Sequence, residues 1–174
     1  MSIEDFIIDT FCLVEENFKQ LTESHVLRKR GSQPKLSDSE VMTMEIVGEF
    51  LGIDTDKGIW LYFKQHWLDW FPQLGSRSNF VKQAANLWCI KQKIQEKLAS
   101  DLGGFDDILH IADGFPMPIC KFKRAHFSSI FKGTATYGYC ASKAETYYGF
   151  KGNLSINSAG VITGITAAPA HFDE

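Results

Sequence analysis

Apolar residues recur at helical spacing through the first hundred positions, and the period then changes. Ile3, Phe6, Ile7, Phe11, Val14, Phe18 and Leu21 follow one another three or four residues apart, which predicts one amphipathic helix. Ser37 stands three residues before Glu40, the spacing of a capping box. The helix it opens carries Val41, Met44, Gly48 and Leu51 on one face, widened by Met42, Ile46 and Phe50, and Gly52 is placed to stop it. The stretch from Gly58 to Phe71 is dense in aromatic residues and is ended by Pro72 and Gly75. Ser76 or Ser78 caps a long helix reaching to about Leu98, with Phe80, Ala84, Leu87, Ile94 and Leu98 inward. This pattern predicts four helices before Gly103-Gly104, a linker or hinge.

Beyond the glycine pair the runs are short and β-branched. Ile108–Ala112 predicts a strand that ends at Asp113-Gly114, where a turn follows. Ser128 to Lys143, with Gly133, Gly138 and the pair Tyr137 and Tyr139, reads as a loop. Tyr147–Ile156 and Val161–Ala168 predict two further strands, joined by a hairpin turn over Asn157–Gly160. The pattern predicts an α+β chain: a helical N-terminal module over 1–102, then three antiparallel strands within 105–174. No helix follows to cover the sheet, so its apolar face marks an incomplete domain.

Composition narrows the function classes. The 174 residues are 44% hydrophobic and 22% charged, as in a soluble globular protein. No apolar run approaches a membrane span, and the acidic N-terminus lacks the basic start of a signal peptide. The four cysteines, Cys12, Cys89, Cys120 and Cys140, are far apart with no CxxC pair, which suits a reduced, cytoplasmic chain. The net charge of −3 conceals segregation. Residues 77–97 carry Arg77, Lys82, Lys91, Lys93 and Lys97 against Glu96, a local balance of +4. Residues 110–152 carry Lys121, Lys123, Arg124, Lys132, Lys143 and Lys151 against Asp113 and Glu145, again +4. A further basic link runs through Arg28, Lys29 and Arg30. Basic segments in an acidic background suit local contact with a polyanion, although a lone cluster is more often a solvated face.

Asp113 is the sharpest chemical candidate. A carboxylate at the end of a rigid strand, followed by glycine, suits a divalent-metal ligand; the plainer alternative is an Asp that nucleates a turn. In Cys120–Phe127, Lys121, Lys123 and Arg124 interleave with aromatics, which suits phosphate contact and base stacking, or else a strand edge guarded by lysines. Lys151, on a strand neighbouring Asp113, is placed to offset phosphate charge, or simply to face solvent. Cys120, His126 and Cys140 lack zinc spacing. His110 reads as a satisfied core histidine, and Asp173-Glu174 as ordinary terminal acids.

Several blocks together carry a family resemblance. Leu36–Val41, Gly48–Gly52, Trp67–Gly75 and Asn79–Trp88 resemble the helical N-terminal region of bacterial insertion-sequence transposases, nearest to the group numbered nine-eight-two. Ala112–Cys120, Tyr137–Ala141 and Glu145–Gly152 resemble the start of that family's DDE catalytic domain, and the likeness spans nearly the whole chain in order. The resemblance implies an RNase H-like fold in which two Asp and one Glu hold two Mg²⁺ or Mn²⁺ ions for phosphoryl transfer on transposon-end DNA. Asp113 matches the first acid. The second lies in an Asp-Lys-Gly-Tyr-like motif and the third in a later helix; neither motif occurs here. The chain is therefore expected to be catalytically inactive alone, with Lys121, Lys123, Arg124, Lys151, Arg77, Lys82 and Lys91 as DNA contacts. Expected partners are DNA and a second copy or an intact transposase, with no membrane. The rival expectation is a non-catalytic protein that binds transposon ends or inhibits an intact transposase.

Overall fold

A computed structural model describes residues 1–23 and 33–172. The basic link of Arg28, Lys29, Arg30 and Gly31 and the acids Asp173 and Glu174 lie outside the described residues. The chain divides into two compact units, Met1–Lys97 and Leu98–Glu174.

The helical pattern of the first unit is present, with sharper punctuation than the periodicity shows. Ser2 caps α1 (Ile3–Thr22) in a capping box with Asp5, and Ile7, Thr10, Val14 and Asn17 form its buried stripe. The box of Ser37 and Glu40 opens α2 (Asp38–Phe50) as expected. Gly52, at φ +73°, ends it: the Gly52 amide donates to Glu49 O and the Ile53 amide to Gly48 O, the paired bonds of a Schellman motif. Val41, Met44 and Val47 of α2 are fully buried, and the helix packs on α1, on α3 (Asp56–His66) and on α4 (Arg77–Asn86). Gly48 permits close approach to α3, since a Cβ there would stand 2.5 Å from Ile59 Cγ1.

The single long helix expected from Ser76 to Leu98 is two, α4 and α5 (Trp88–Asp101), so five α-helices rather than four form among the described residues. The break falls at buried Leu87, whose amide donates to Ala84 O while its carbonyl accepts from both Ile90 and Lys91. Phe80, Ala84, Leu87, Ile90 and Ile94 are all buried. The apolar period runs through the break without a gap, which is why the spacing does not reveal it. α5 is tied to α2 by an ion pair of Lys91 with Glu45 at 2.8 Å.

Among the described residues the second unit holds four strands rather than three, all antiparallel: β1 (His110–Lys121), β2 (Thr136–Cys140), β3 (Glu145–Asn157) and β4 (Ile162–Pro169). β3 is central. One edge pairs with β1 over residues 147–157; the other is shared by β2 over residues 145–149 and β4 over 150–156. The expected loop over residues 128–143 thus contains β2, which alternates tyrosines with Gly138. Gly138 is required there, because a Cβ would stand 2.8 Å from Ala170 O. The hairpin at Asn157–Gly160 forms as expected: Asn157 Oδ1 accepts from the Ala159 and Val161 amides, and Gly160 takes φ +81°.

Candidate functional site

The expected strand over 108–112 ends at Asp113; the observed one does not. β1 runs eight residues further, and Asp113 lies inside it, paired with Leu154 of β3. The two prolines of Phe115-Pro-Met-Pro118 argue against a strand, yet Pro116 and Pro118 are tolerated because β1 is an edge, paired with β3 alone among the described residues. A register shift between Pro118 and Cys120 absorbs the second of them.

Successive residues of a strand face opposite sides of a sheet, and directly paired residues share a side. Asp113 therefore shares a face with Ile111, Phe115 and Met117 of β1, Leu154 and Ile156 of β3, and Ile165 of β4. Ile111 is 54% and Ile165 61% exposed. The Asp113 carboxylate is exposed, and its one hydrogen bond among the described residues is local, Oδ1 accepting from the Gly114 amide at 2.8 Å. A carboxylate set among apolar side chains, with no salt bridge or side-chain partner, contributes nothing to the sheet that a β-branched residue would not do better.

Lys151 pairs with Pro116, three positions out of step with the Asp113–Leu154 pair, so it lies on the opposite face. It sits near Tyr147, whose hydroxyl is raised above its usual pKa by burial. The expected grouping of Asp113 with Lys151 is corrected accordingly: the strands adjoin, the side chains do not. Lys121 ends β1, and Lys123 and Arg124 follow on a short 3-10 helix, Phe122–Phe127; all three are exposed beside exposed Phe122 and Phe127. Arg77 and Lys82 are exposed on α4, whereas Lys91 is engaged by Glu45. Glu45 is itself half-buried, and desolvation raises its carboxyl above the usual range despite the lysine.

His110 is not in the core. It is exposed at the start of β1, with Nδ1 against Thr163 Oγ1 and Nε2 against Asp107 O, both at 3.0 Å. Asp107 accepts from the Ser158 hydroxyl and amide and from the Leu109 amide, and those bonds hold its carboxyl down at about 2. On the face opposite Asp113, Cys140 lines a small cavity of about 150 Å³ with Pro116, Lys121, Lys143 and Tyr147. The Ser142 hydroxyl, with the Lys143 amide, lowers the Cys140 thiol below its ordinary value.

Among the described residues no three His, Cys, Asp or Glu side chains come together as a metal site. Asp113 is the one acid among the paired residues of its face. The residues present do not by themselves fit a pair of divalent ions, whose mutual repulsion calls for several carboxylates. No protein-family model, characterised protein or solved structure matches the chain. No helix of the described residues is long and apolar enough to cross a membrane.

Periodicity gives no hint of a concavity in the first unit. A cavity of about 520 Å³ opens between α4 and the segments that precede α2 and α4. Asn79 and Asn86 project from α4 beside Lys82, and the signal for them, amides spaced about two turns apart on one helix, is weak in any sequence.

Proposed function

We propose that the chain carries the helical region and the first strands of the RNase H-like catalytic domain of a DDE transposase, and that Asp113 is the first of its three acids. The observation that carries the reading is Asp113 itself: an exposed carboxylate without a salt bridge among the described residues, held within the first strand of an antiparallel sheet and sharing its face with apolar side chains. Such a residue serves something other than the fold. The consecutive long strands β1, β3 and β4, sharing one sheet, support the RNase H-like assignment. The edge of β1 away from β3 is open to a further strand. A strand added there brings its own acid beside Asp113, and helices packed on the same face would bury Ile111 and Ile165.

In this reading the chain supplies one metal ligand and part of the DNA surface, Mg²⁺ or Mn²⁺ being held only once the further acids are present. Lys121, Lys123 and Arg124, adjacent and exposed, are the strongest phosphate contacts of the second unit; Arg77 and Lys82 serve the first. Lys151 faces away from Asp113 and touches DNA, if at all, on a different path. The rival, a non-catalytic DNA-binding or inhibitory protein, shares the basic surfaces but gives Asp113 no role.

DNA binding by the 174-residue chain is measurable by anisotropy of a labelled duplex between 50 and 200 mM salt. Affinity should fall with rising salt, and each phosphate neutralised contributes about −0.9 to the log–log slope. Removing Lys121, Lys123 and Arg124 together should flatten the slope by about 2 to 3. Binding indifferent to salt, or absent at 50 mM with folded protein, would sink the proposal. Reading the DNA that follows the coding sequence separates it from its rival, because a frame encoding Asp-Lys-Gly-Tyr and a later Glu-bearing helix belongs to the enzyme alone.

A further inference from the structure

The cavity of about 520 Å³ in the first unit lies within the roughly 300–1,000 Å³ range of small-molecule clefts. Its described lining includes two lysines, Lys35 and Lys82, and no acid. The nearby Asp38 carboxylate is not part of the lining; it is buried and accepts from Gln83 Nε2 at 2.7 Å. Leu36, Leu74 and buried Phe80 give the cavity an apolar floor, and Gln73, Asn79 and Asn86 give it an amide rim.

The walls are held in place from behind. Gln83 Nε2 also donates to Leu36 O at 2.9 Å, fixing the segment before α2 against α4. Trp60 Nε1 donates to Gly75 O at 3.1 Å, fixing the segment before α4. Ser76 Oγ then accepts from the Asn79 amide and closes the first turn of α4. A cleft whose walls are fixed before binding loses little freedom when it is filled.

Each part suits one piece of a nucleotide. A base needs a flat apolar bed and amides at its edge, since Asn and Gln carry the paired donor and acceptor that match adenine and other base edges. Its phosphates need cations, and lysines act as point charges for them. Bases stacked inside a duplex cannot enter a concave site; an unpaired or extruded one can. We propose that this cleft holds one unpaired nucleotide of DNA, its base against Leu74, over the buried Leu36 and Phe80, its edge at Asn79 and Asn86, and its phosphates at Lys35 and Lys82. The inference rests on the reading that the chain handles DNA, and it adds what the basic surfaces do not: a preference for single-stranded DNA in the first unit.

The test uses the 174-residue chain with a labelled 12-nucleotide single strand and with the matching duplex, at 50 mM salt. The variants are Lys82→Ala and the doubly substituted Asn79→Ala, Asn86→Ala; all three positions are exposed, and circular dichroism checks each fold. Single-strand affinity should drop about tenfold in each variant; duplex affinity should change less than twofold in the asparagine variant, and in Lys82→Ala, which also removes a duplex phosphate contact, by clearly less than the single-strand loss. Lys82→Ala should also reduce the single-strand salt slope by about 0.7, whereas the asparagine variant should leave it alone. Asn86→Asp keeps the shape and places a negative charge at the rim, so it should weaken the single strand further. Unchanged single-strand affinity in both variants, or equal losses for strand and duplex, overturns the inference. Wild-type protein that binds the duplex but not the single strand overturns the cleft alone; wild-type protein that binds neither removes the DNA reading with it.

Discussion

Two charged side chains of this chain stand in opposite relations to their surroundings. Asp113 is exposed on an apolar face, and among the described residues its one hydrogen bond is to the Gly114 amide. Replacing it with a β-branched residue should improve the cross-strand packing with Leu154 and the diagonal Ile156, so Asp113→Val should raise stability by about 0.5–1 kcal/mol. A thermal melt of the variant checks this, and a loss of stability would mean that Asp113 supports the fold and is not held against it for function. Glu45, by contrast, depends on Lys91. Burial raises its carboxyl above the ordinary value, and the lysine opposes that. A raised folded-state value means that the Glu45 contribution to stability is fully present below the usual glutamate range and is lost as pH rises through the raised value. Lys91→Ala removes the compensating charge. It should destabilise the first unit by about 1–2 kcal/mol at pH 7, the half-exposed lysine placing it well below a fully buried pair, and the deficit should shrink as pH falls toward 4. DNA affinity should be unaffected, because the ammonium is already engaged.

At the level of elements, the β3–β4 hairpin is clamped from outside by Asp107, whose three hydrogen bonds to Ser158 and Leu109 hold its carboxyl at about 2. A depressed value contributes stability that is present above the ordinary 3.8 and lost as pH falls through about 2. The Ser158 amide, followed by NMR from pH 5 to 2, should therefore lose its protection over that interval, and Asp107→Asn should remove the acid-dependent step. A hairpin that titrates identically in the variant would show that the clamp is cosmetic. Caps and turns were readable in the sequence because each is local: Ser37 with Glu40, Gly52 after α2, Asn157 to Gly160 between strands. The break at Leu87 was hidden, since buried Leu87 continues the apolar period of its neighbours. β1 reads too short because Asp113-Gly114 carries a turn signal; the strand continues through Pro116 and Pro118, which are acceptable because β1 pairs on one edge alone among the described residues. β2 was missed because its inward position is Gly138, which leaves no apolar alternation to see. Asp113 was legible as a candidate, but the opposite facing of Lys151 was not, since it depends on a register between strands some forty residues apart.

For the molecule as a whole, each unit carries one arrangement that its own stability does not explain. In the first it is the amide-rimmed cleft between α4 and its flanking segments, and in the second the isolated carboxylate on a half-exposed apolar face. The proposed DNA-processing role would account for both, one as a holder of DNA and the other as a share of the chemistry. The most direct test is a nicking assay on transposon-end DNA with Mg²⁺ or Mn²⁺. It compares the 174-residue chain with the same chain continued by the C-terminal segment of a transposase of the resembled group, bearing the Asp-Lys-Gly-Tyr motif and the later glutamate, and with that continued chain as Asp113→Asn. Circular dichroism establishes that all three are folded. The account predicts no metal-dependent nicking by the 174-residue chain, nicking by the continued chain, and a loss of at least about 10³-fold in Asp113→Asn. Nicking by the 174-residue chain, or undiminished nicking by the continued Asp113→Asn protein, would contradict it.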